Sequence, residues 1–223
     1  MKRSQINQII KDAQAFIEGH GYVLPPFAHW TEADWAANRE RAGLIMDVGM
    51  GWDITDYGRG DFDKMGLFLF TVRNGKAEDL ITGTGMLYAE KIMISRKDQL
   101  SPMHYHKVKA EDIINRGGGD LIIELYNCSD DGGLDKSSDV TVICDGMART
   151  VKAGGKLNLK PGESVTLMPY QWHAFWGEGA DVLIGEVSTV NDDNTDNYFL
   201  DELGRFPTID EDEPKHRLLV KDY

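Results

Sequence analysis

From about residue 44 to residue 190 the chain is a succession of short apolar or alternating runs punctuated by Gly, Asp and Asn. The runs are MGLFLFTVRNG, AEKIMISRKD, GDLIIELYNC, DVTVICDG, GGKLNLKPGESVTLMP and DVLIGEVSTV. Each is of strand length, rich in Val, Ile, Leu and Phe, and bounded by turn formers. Arg73-Asn-Gly75 and Cys144-Asp-Gly146 read as tight turns, since Asn, Asp and Gly accept the positive φ that a two-residue hairpin needs. Many short strands at this spacing point to a sandwich or a barrel rather than a parallel sheet of βαβ units. No internal repeat or low-complexity stretch interrupts them.

The stretches on either side follow other patterns. Ile6, Ile9, Ile10, Ala13, Phe16 and Ile17 recur at helical spacing over residues 4–19, and Gly19 and Gly21 close that helix. Leu24-Pro-Pro breaks the chain, and Thr31-Glu-Ala-Asp34 forms a capping box with Asp in the usual Glu place. It opens a second helix through about Arg41. Both helices are expected to pack on the strands and to carry no chemistry. From Glu186 onward there are eleven acidic against four basic residues. The run Asp210-Glu-Asp-Glu213 reads as a solvated loop. Tyr198, Phe199, Leu203, Phe206, Leu218 and Leu219 around it suggest that this tail still docks. The expectation is one domain in three stretches: a helical extension (1–43), a barrel (44–190) and a C-terminal extension (191–223).

Charge narrows the partners. Acidic residues outnumber basic ones by 37 to 24, a net charge of −13, and such a field repels nucleic acid and anionic membrane surfaces. No apolar run approaches membrane-spanning length, and the N-terminus lacks the apolar core of a signal peptide. Cys128 and Cys144 lack a metal-type spacing and read as reduced thiols, which places the chain in the cytoplasm. Strand edges make a homodimer plausible on general grounds.

Three of the six histidines carry the chemistry. His104 and His106 are two residues apart, so on a strand both imidazoles project to one face. Glu111 follows five residues later, and His173 stands far downstream in Pro169-Tyr-Gln-Trp-His173. Three nitrogens and one carboxylate oxygen suit Mn, Fe, Co, Ni or Zn, with positions left open for a substrate. The alternative is that these are unrelated surface residues.

These motifs resemble a known family. His104-x-His106-x4-Glu111-x6-Gly118 is similar to the first metal motif of the cupins, small jelly-roll β-barrels. Gly162-Glu-Ser-Val-Thr-Leu-Met-Pro169 followed by His173 resembles their second motif. It differs in having Gln171 in a usual Gly position and His173 four residues after the Pro instead of five. LPPFAHW, SPMHYHKVKAEDI, PYQWHAFW and GEVSTVNDDNTDN extend the likeness over most of the chain, and with them it resembles the D-lyxose isomerases. The resemblance implies an all-β core: a cupin jelly-roll barrel with N-terminal helices and an acidic C-terminal extension. It implies a metal-dependent aldose–ketose isomerase acting on D-lyxose and D-xylulose, and on D-mannose and D-fructose, through a cis-enediol. Mn2+, or another divalent transition metal, is the implied cofactor, on His104, His106, Glu111 and His173. An Fe(II) dioxygenase and a non-catalytic sugar-binding cupin are the alternatives.

Isomerisation needs a base at carbon, since a metal cannot itself remove a carbon-bound proton. Lys109 lies two residues before Glu111 and on a regular strand would face the metal, where a cation would lower its pKa. Lys107 shares that parity, so one of the two is surface decoration. Glu186 shares a strand face with Val182, Ile184 and Ser188, and that face points either into the barrel or outward. Glu202 and Glu213 belong to the tail, which could bring either over the barrel mouth. Lys109, Glu202 and Glu186 are therefore the candidates for proton movement. Lys91, flanked by apolar residues, Trp172, beside His173, and Glu213 are candidate substrate contacts. A tryptophan in a barrel wall can equally be core.

Overall fold

A computed structural model describes residues 1–223. Twelve strands form one continuous sheet system: β1 (Gly51–Thr55), β2 (Leu67–Arg73), β3 (Tyr88–Ser95), β4 (Ser101–Tyr105), β5 (Glu111–Cys128), β6 (Leu134–Asp135), β7 (Val140–Cys144), β8 (Met147–Val151), β9 (Gly155–Leu159), β10 (Ser164–Leu167), β11 (Gln171–Thr189) and β12 (Tyr198–Phe199). Strands β5 and β11 are far longer than the usual five or so residues. They pair antiparallel from Gln171 opposite Asn127 to Ser188 opposite Glu111.

Two irregularities bend this long ribbon, one between Glu178 and Val182 and one between Leu183 and Ile184. Glycine makes the bend possible. Gly118 has φ 95°, and a Cβ there would lie 2.0 Å from the carbonyl oxygen of Asp181. On one side of the bend the order runs β1-β2-β3-β11-β5-β10-β7-β8. On the other, the first half of β11 lies between β4 and β5, with β12 outside β4 and with β6 and β9 on β5. The two layers face each other. Leu121, Ile123, Leu125 and Phe175 from one side share a buried cluster with Leu67, Leu69, Met93, Ile113, Val182 and Ile184 from the other. This is the barrel that the strand pattern predicts.

A second core lies on the outer face of β1, β2 and β3. There Trp52, Ile54, Phe68, Phe70, Ile92 and Ile94 meet Ile6, Ile10 and Ile17 of α1 (Arg3–Gly19), together with Phe27 and Trp35. Thr31 caps α2 (Glu32–Asn38) as expected: its Oγ1 accepts from the Asp34 N–H at 3.2 Å, and Asp34 accepts from the Thr31 N–H at 2.9 Å. The helical stretch then continues through α3 (Gly43–Asp47), past the boundary expected at residue 43. Strand β1 and helix α4 (Ala77–Thr82) have no counterpart among the predicted elements.

One predicted turn is real and one is not. Asp145 and Gly146 have φ of 50° and 81°, and Cys144 pairs with Met147 across the β7–β8 hairpin. Arg73-Asn-Gly75 instead leads into α4. Asn74 serves as a clamp, donating to the carbonyls of Val48 (3.0 Å) and Asn191 (2.8 Å) and accepting from the Asn191 N–H (3.0 Å). The acidic tail is not simply solvated. Helix α1 has no acidic residue in its own first turn. Asp212 supplies one by accepting from the Ser4 N–H at 2.9 Å, where a carboxylate meets the positive end of the helix dipole. Arg3 is buried and pairs with Glu211 at 2.7 Å and Asp222 at 3.4 Å. No helix is long and apolar enough to cross a membrane.

Ile10 is fully buried where α1 meets the sheet. Ile10→Ala should cost about 2–5 kcal/mol of stability through lost burial and the cavity left behind. A lower urea midpoint with an unchanged slope is the expected result.

Candidate active site

Two strands bring the histidines together. His104 lies on β4, His106 follows its last residue, and His173 on β11 pairs directly opposite His104. One ligand nitrogen from each lies within 4.8 Å of the others. Each Nδ1 faces a backbone carbonyl: Pro102 for His104 (2.8 Å), Asp196 for His106 (2.6 Å) and Gln171 for His173 (3.0 Å). A carbonyl can only accept, so each Nδ1 carries the proton and each Nε2 keeps a free lone pair. Burial, and then the neighbouring His173 and His106, hold the His104 pKa well below the ordinary imidazole value.

Glu111, the first residue of β5, completes the set. Its Oε1 lies 3.4 Å from His106 Nε2 and 3.2 Å from His173 Nε2. Both Glu111 Oε1 and His106 Nε2 are buried without a hydrogen-bond partner. Buried polar atoms are rarely left this way. Unprotonated nitrogens and an orphaned carboxylate oxygen converging on one point fit a divalent transition metal ion.

The other oxygen of Glu111 begins a chain of charges, buried from Lys109 to Lys91 and half-buried at Asp193 and Arg205. Lys109 Nζ lies 2.6 Å from Glu111 Oε2 and 3.0 Å from Glu186 Oε1. Lys91 Nζ lies 3.5 Å from the same Glu186 oxygen and 3.1 Å from Asp193 Oδ1. Arg205 Nη2 then pairs with Asp193 (3.4 Å) and with the buried Asp53 (2.5 Å). Burial would lower the Lys109 pKa, but the carboxylates of Glu111, Glu186 and Asp193 outweigh it and raise it above the ordinary lysine value. Burial also opposes ionisation of Glu111, yet Lys109, with His106 and His173, holds its carboxyl well below the usual range.

Asp196, on the tail, fixes the segment between His106 and Glu111. Its backbone carbonyl accepts from His106 Nδ1–H, and its carboxylate accepts from the N–H groups of Lys107 (2.8 Å), Val108 (3.2 Å) and Lys109 (2.9 Å). Residues 107–110 are not strand, so strand parity is not what aims Lys109 inward. Lys107 is the surface member of the pair, with its ammonium 4.0 Å from the Tyr198 ring.

Of the candidates named from sequence, Lys91, Lys109, Glu186 and the four candidate ligands line one cavity of about 50 Å³, with Tyr57, Phe175, Asp193 and Arg205 among its other walls. Glu186 faces inward with Val182, Ile184 and Ser188, all buried. Three candidates lie elsewhere. Trp172 has the opposite strand parity to His173. It packs against Tyr105, and its indole N–H donates to the Gly133 carbonyl at 3.1 Å. Glu202 is exposed, and only its backbone carbonyl is engaged, by Arg59. Glu213 accepts from Asn7 at the start of α1. The tail does reach the cavity, but through Asp193, Asn197, Phe199 and Arg205. Asp193 and Asn197 lie in the family-like NDDNTDN stretch; Arg205 has no sequence signal at all.

Residues 1–223 match the profile of a family described as D-lyxose isomerase. A D-lyxose/D-mannose isomerase of Serratia proteamaculans is 49% identical over 226 aligned residues, covering 100% of this chain and 98% of that one. A protein of the same name from Escherichia coli O157:H7 is 47% identical with the same coverage. Among solved structures, an L-ribose isomerase of Cellulomonas parahominis has a TM-score of 0.61 at 15% identity, over 94% of this chain and 98% of that chain. An L-ribose isomerase of Acinetobacter sp. DL28 gives 0.61 at 14% identity, with the same coverage. At that identity the likeness speaks for the fold alone, which is the cupin-like barrel.

Burial alone would raise the Asp193 pKa, but Lys91, Arg205 and Lys109 outweigh it and hold the carboxyl far below the usual range. A depressed carboxyl stabilises the fold above its unfolded pKa of about 4, and that contribution fades as the pH falls below it. Asp193→Asn should therefore destabilise most at pH 7. The gap from the parent in urea unfolding should shrink at pH 3.

Proposed function

The chain belongs to the D-lyxose isomerase family, and from that premise and the buried pocket we propose that it interconverts D-lyxose and D-xylulose, and D-mannose and D-fructose, through a cis-enediol with a divalent metal ion. It is a sugar isomerase, and family membership sets aside the dioxygenase and the non-catalytic readings. The observation that carries the finer reading is the contiguity of Glu186, Lys109 and Glu111 beside the three histidines. Manganese is the metal implied by the family likeness. His104, His106, Glu111 and His173 would hold it, and when bound it supplies Lewis-acid polarisation of the sugar carbonyl and hydroxyl oxygens. A cytoplasmic homodimer belongs to the same reading.

The residues divide the proton work. Lys109 lies between the carboxylates of Glu111 and Glu186, which favour its ammonium form, so it serves oxygen and not carbon. Glu186 Oε1 faces the ammonium groups of Lys109 and Lys91 at 3.0 and 3.5 Å, which orient the carboxylate in the cavity. In the forward direction Glu186 takes the proton from C2 of the open-chain aldose, and its electron pair becomes the C1–C2 double bond. The C1 carbonyl oxygen gains a proton from Lys109, which gives the enediol. Lys109 then recovers a proton from the C2 hydroxyl as the C2 carbonyl forms, and Glu186 returns its proton to C1. Atoms and charge balance, and both groups end as they began. A base on one face of a cis-enediol returns the proton to that same face. Phe175, Phe199, Leu67 and Leu69 line the cavity and limit water that would compete for that proton.

With D-lyxose the metal-replete protein should form D-xylulose without consuming oxygen, and chelation should abolish the activity. His106→Ala should lose bound metal by elemental analysis; full activity in a metal-free preparation would sink the metal assignment.

Glu186→Gln and Lys109→Met should each lower kcat by about 10²–10⁴-fold with metal content retained, the usual effect of losing a positioned acid or base. Glu202→Gln should change kcat little, since its side chain lies outside the cavity. A normal kcat in Glu186→Gln would show the base to be another group.

A further inference from the structure

The inner cavity is too small for the substrates proposed above. A space of about 50 Å³ holds roughly three to five waters at 10–15 Å³ each. An open-chain pentose carries an oxygen on every carbon and exceeds that space once C1 and C2 lie beside the histidines. A second cavity, of about 610 Å³, lies next to the first, and the two share Asp193 and Arg205 as lining residues, while Asp53 lines the outer one alone. Asp193 and Arg205 are the wall between them, and Asp53 backs Arg205 from the outer side. The outer cavity is rich in amide and carboxylate groups, among them Asn74, Asn191, Asn194 and Asp192. Such groups suit a neutral, hydroxyl-bearing ligand.

The wall is held at one end and loose at the other. Arg205 is anchored on β1 by Asp53, which is buried and whose second oxygen accepts from the Ile54 N–H at 2.8 Å. Its contact with Asp193 is longer, at 3.4 Å. The Arg205 Nε–H is buried and has no partner. A buried guanidinium N–H without an acceptor is a donor in want of an oxygen. Asp193 in turn touches Lys91, which touches Glu186. The wall therefore adjoins the groups assigned to the chemistry.

We propose that Arg205, with Asp53 and Asp193, is the binding site for the end of the sugar chain remote from the reacting carbons. The assignment rests on the isomerase reading. The sugar enters from the outer cavity, and a distal hydroxyl replaces the long Arg205–Asp193 contact and accepts from the guanidinium. The remaining carbons of a hexose extend into the outer cavity. This explains how one small inner chamber admits chains of both five and six carbons: only C1 to C3 need fit inside it.

The test uses D-arabinitol and D-mannitol, the reduced and non-isomerisable forms of D-lyxose and D-mannose, titrated calorimetrically into metal-replete protein. Arg205→Met should weaken both by about tenfold or more, the usual loss for a hydrogen bond to a charged group. KM for D-lyxose should rise by a similar factor while metal content stays at the parent level. Because Arg205→Met strands the buried Asp53 carboxylate, Arg205→Met/Asp53→Asn is measured beside it to keep the fold intact. Affinity within about twofold of the parent for either polyol, in either folded variant, overturns the proposal. A parent that isomerises D-lyxose but binds neither polyol overturns it as well, since both polyols keep every distal hydroxyl. A parent that fails to isomerise D-lyxose overturns the underlying isomerase reading instead, and with it a sugar at this wall.

Discussion

The register break in β11 governs which side chains meet. Before it, the odd-numbered His173 and Phe175 face the cavity; after it, the even-numbered Val182, Ile184 and Glu186 do. A strand of unbroken period two cannot present both His173 and Glu186 to one interior, because they are thirteen positions apart. The two irregularities together absorb the odd step: four positions of β11 stand against two of β5 from Glu178 to Val182, and one against two from Leu183 to Ile184. They also bend the ribbon so that its halves lie in opposing layers. A carboxylate on one layer thereby comes to face the histidine cluster on the other. The barrel's closure and the meeting of its acid and its histidines are thus one geometric event.

Around that geometry, charge alternates without interruption: Glu111, Lys109, Glu186, Lys91, Asp193, Arg205, Asp53. Buried ion pairs rarely repay their desolvation, so stability alone does not account for a row of this kind. Its use is positional. Each inner member is held from both sides, and neither lysine can relax towards solvent. Removing one member strands the neighbour on each side, so effects of substitution along the row should be far from additive.

Sequence carried the architecture further than the site. Helix α1, the Thr31 box, the Cys144–Met147 hairpin and most strands were legible because their signals are local. The His104–His106 pair was legible for the same reason, as a two-residue spacing at the end of one strand. Asn74 was misread because Asn-Gly is also a turn signal, and only the tertiary partners Val48 and Asn191 decide its role. Strand β1 was invisible because GWDIT is buried on both faces and shows no alternation. Trp172 beside His173 was credited with a contact that strand parity forbids. Glu202 and Glu213 were plausible as tail acids, but the tail delivers Asp193, Asp196 and Arg205 instead. Their partners lie 87 to 152 residues away in the cases of Lys109 and Asp53, beyond any local signal.

The belt formed by the tail and helix α1 has a consequence for how the polypeptide matures. Arg3 waits for Glu211 and Asp222, and Asp53 waits for Arg205, contacts spanning 208, 219 and 152 positions. Ribosomal synthesis delivers the N-terminal part first. An emerging chain can therefore assemble its strands and gather the histidines while Arg3 and Asp53 are still uncompensated. Such an intermediate would be able to capture metal before it could discriminate among sugars. Loop-closure entropy makes these last, most distant contacts the slowest to form. Recognition should thus be the final property that the nascent protein acquires.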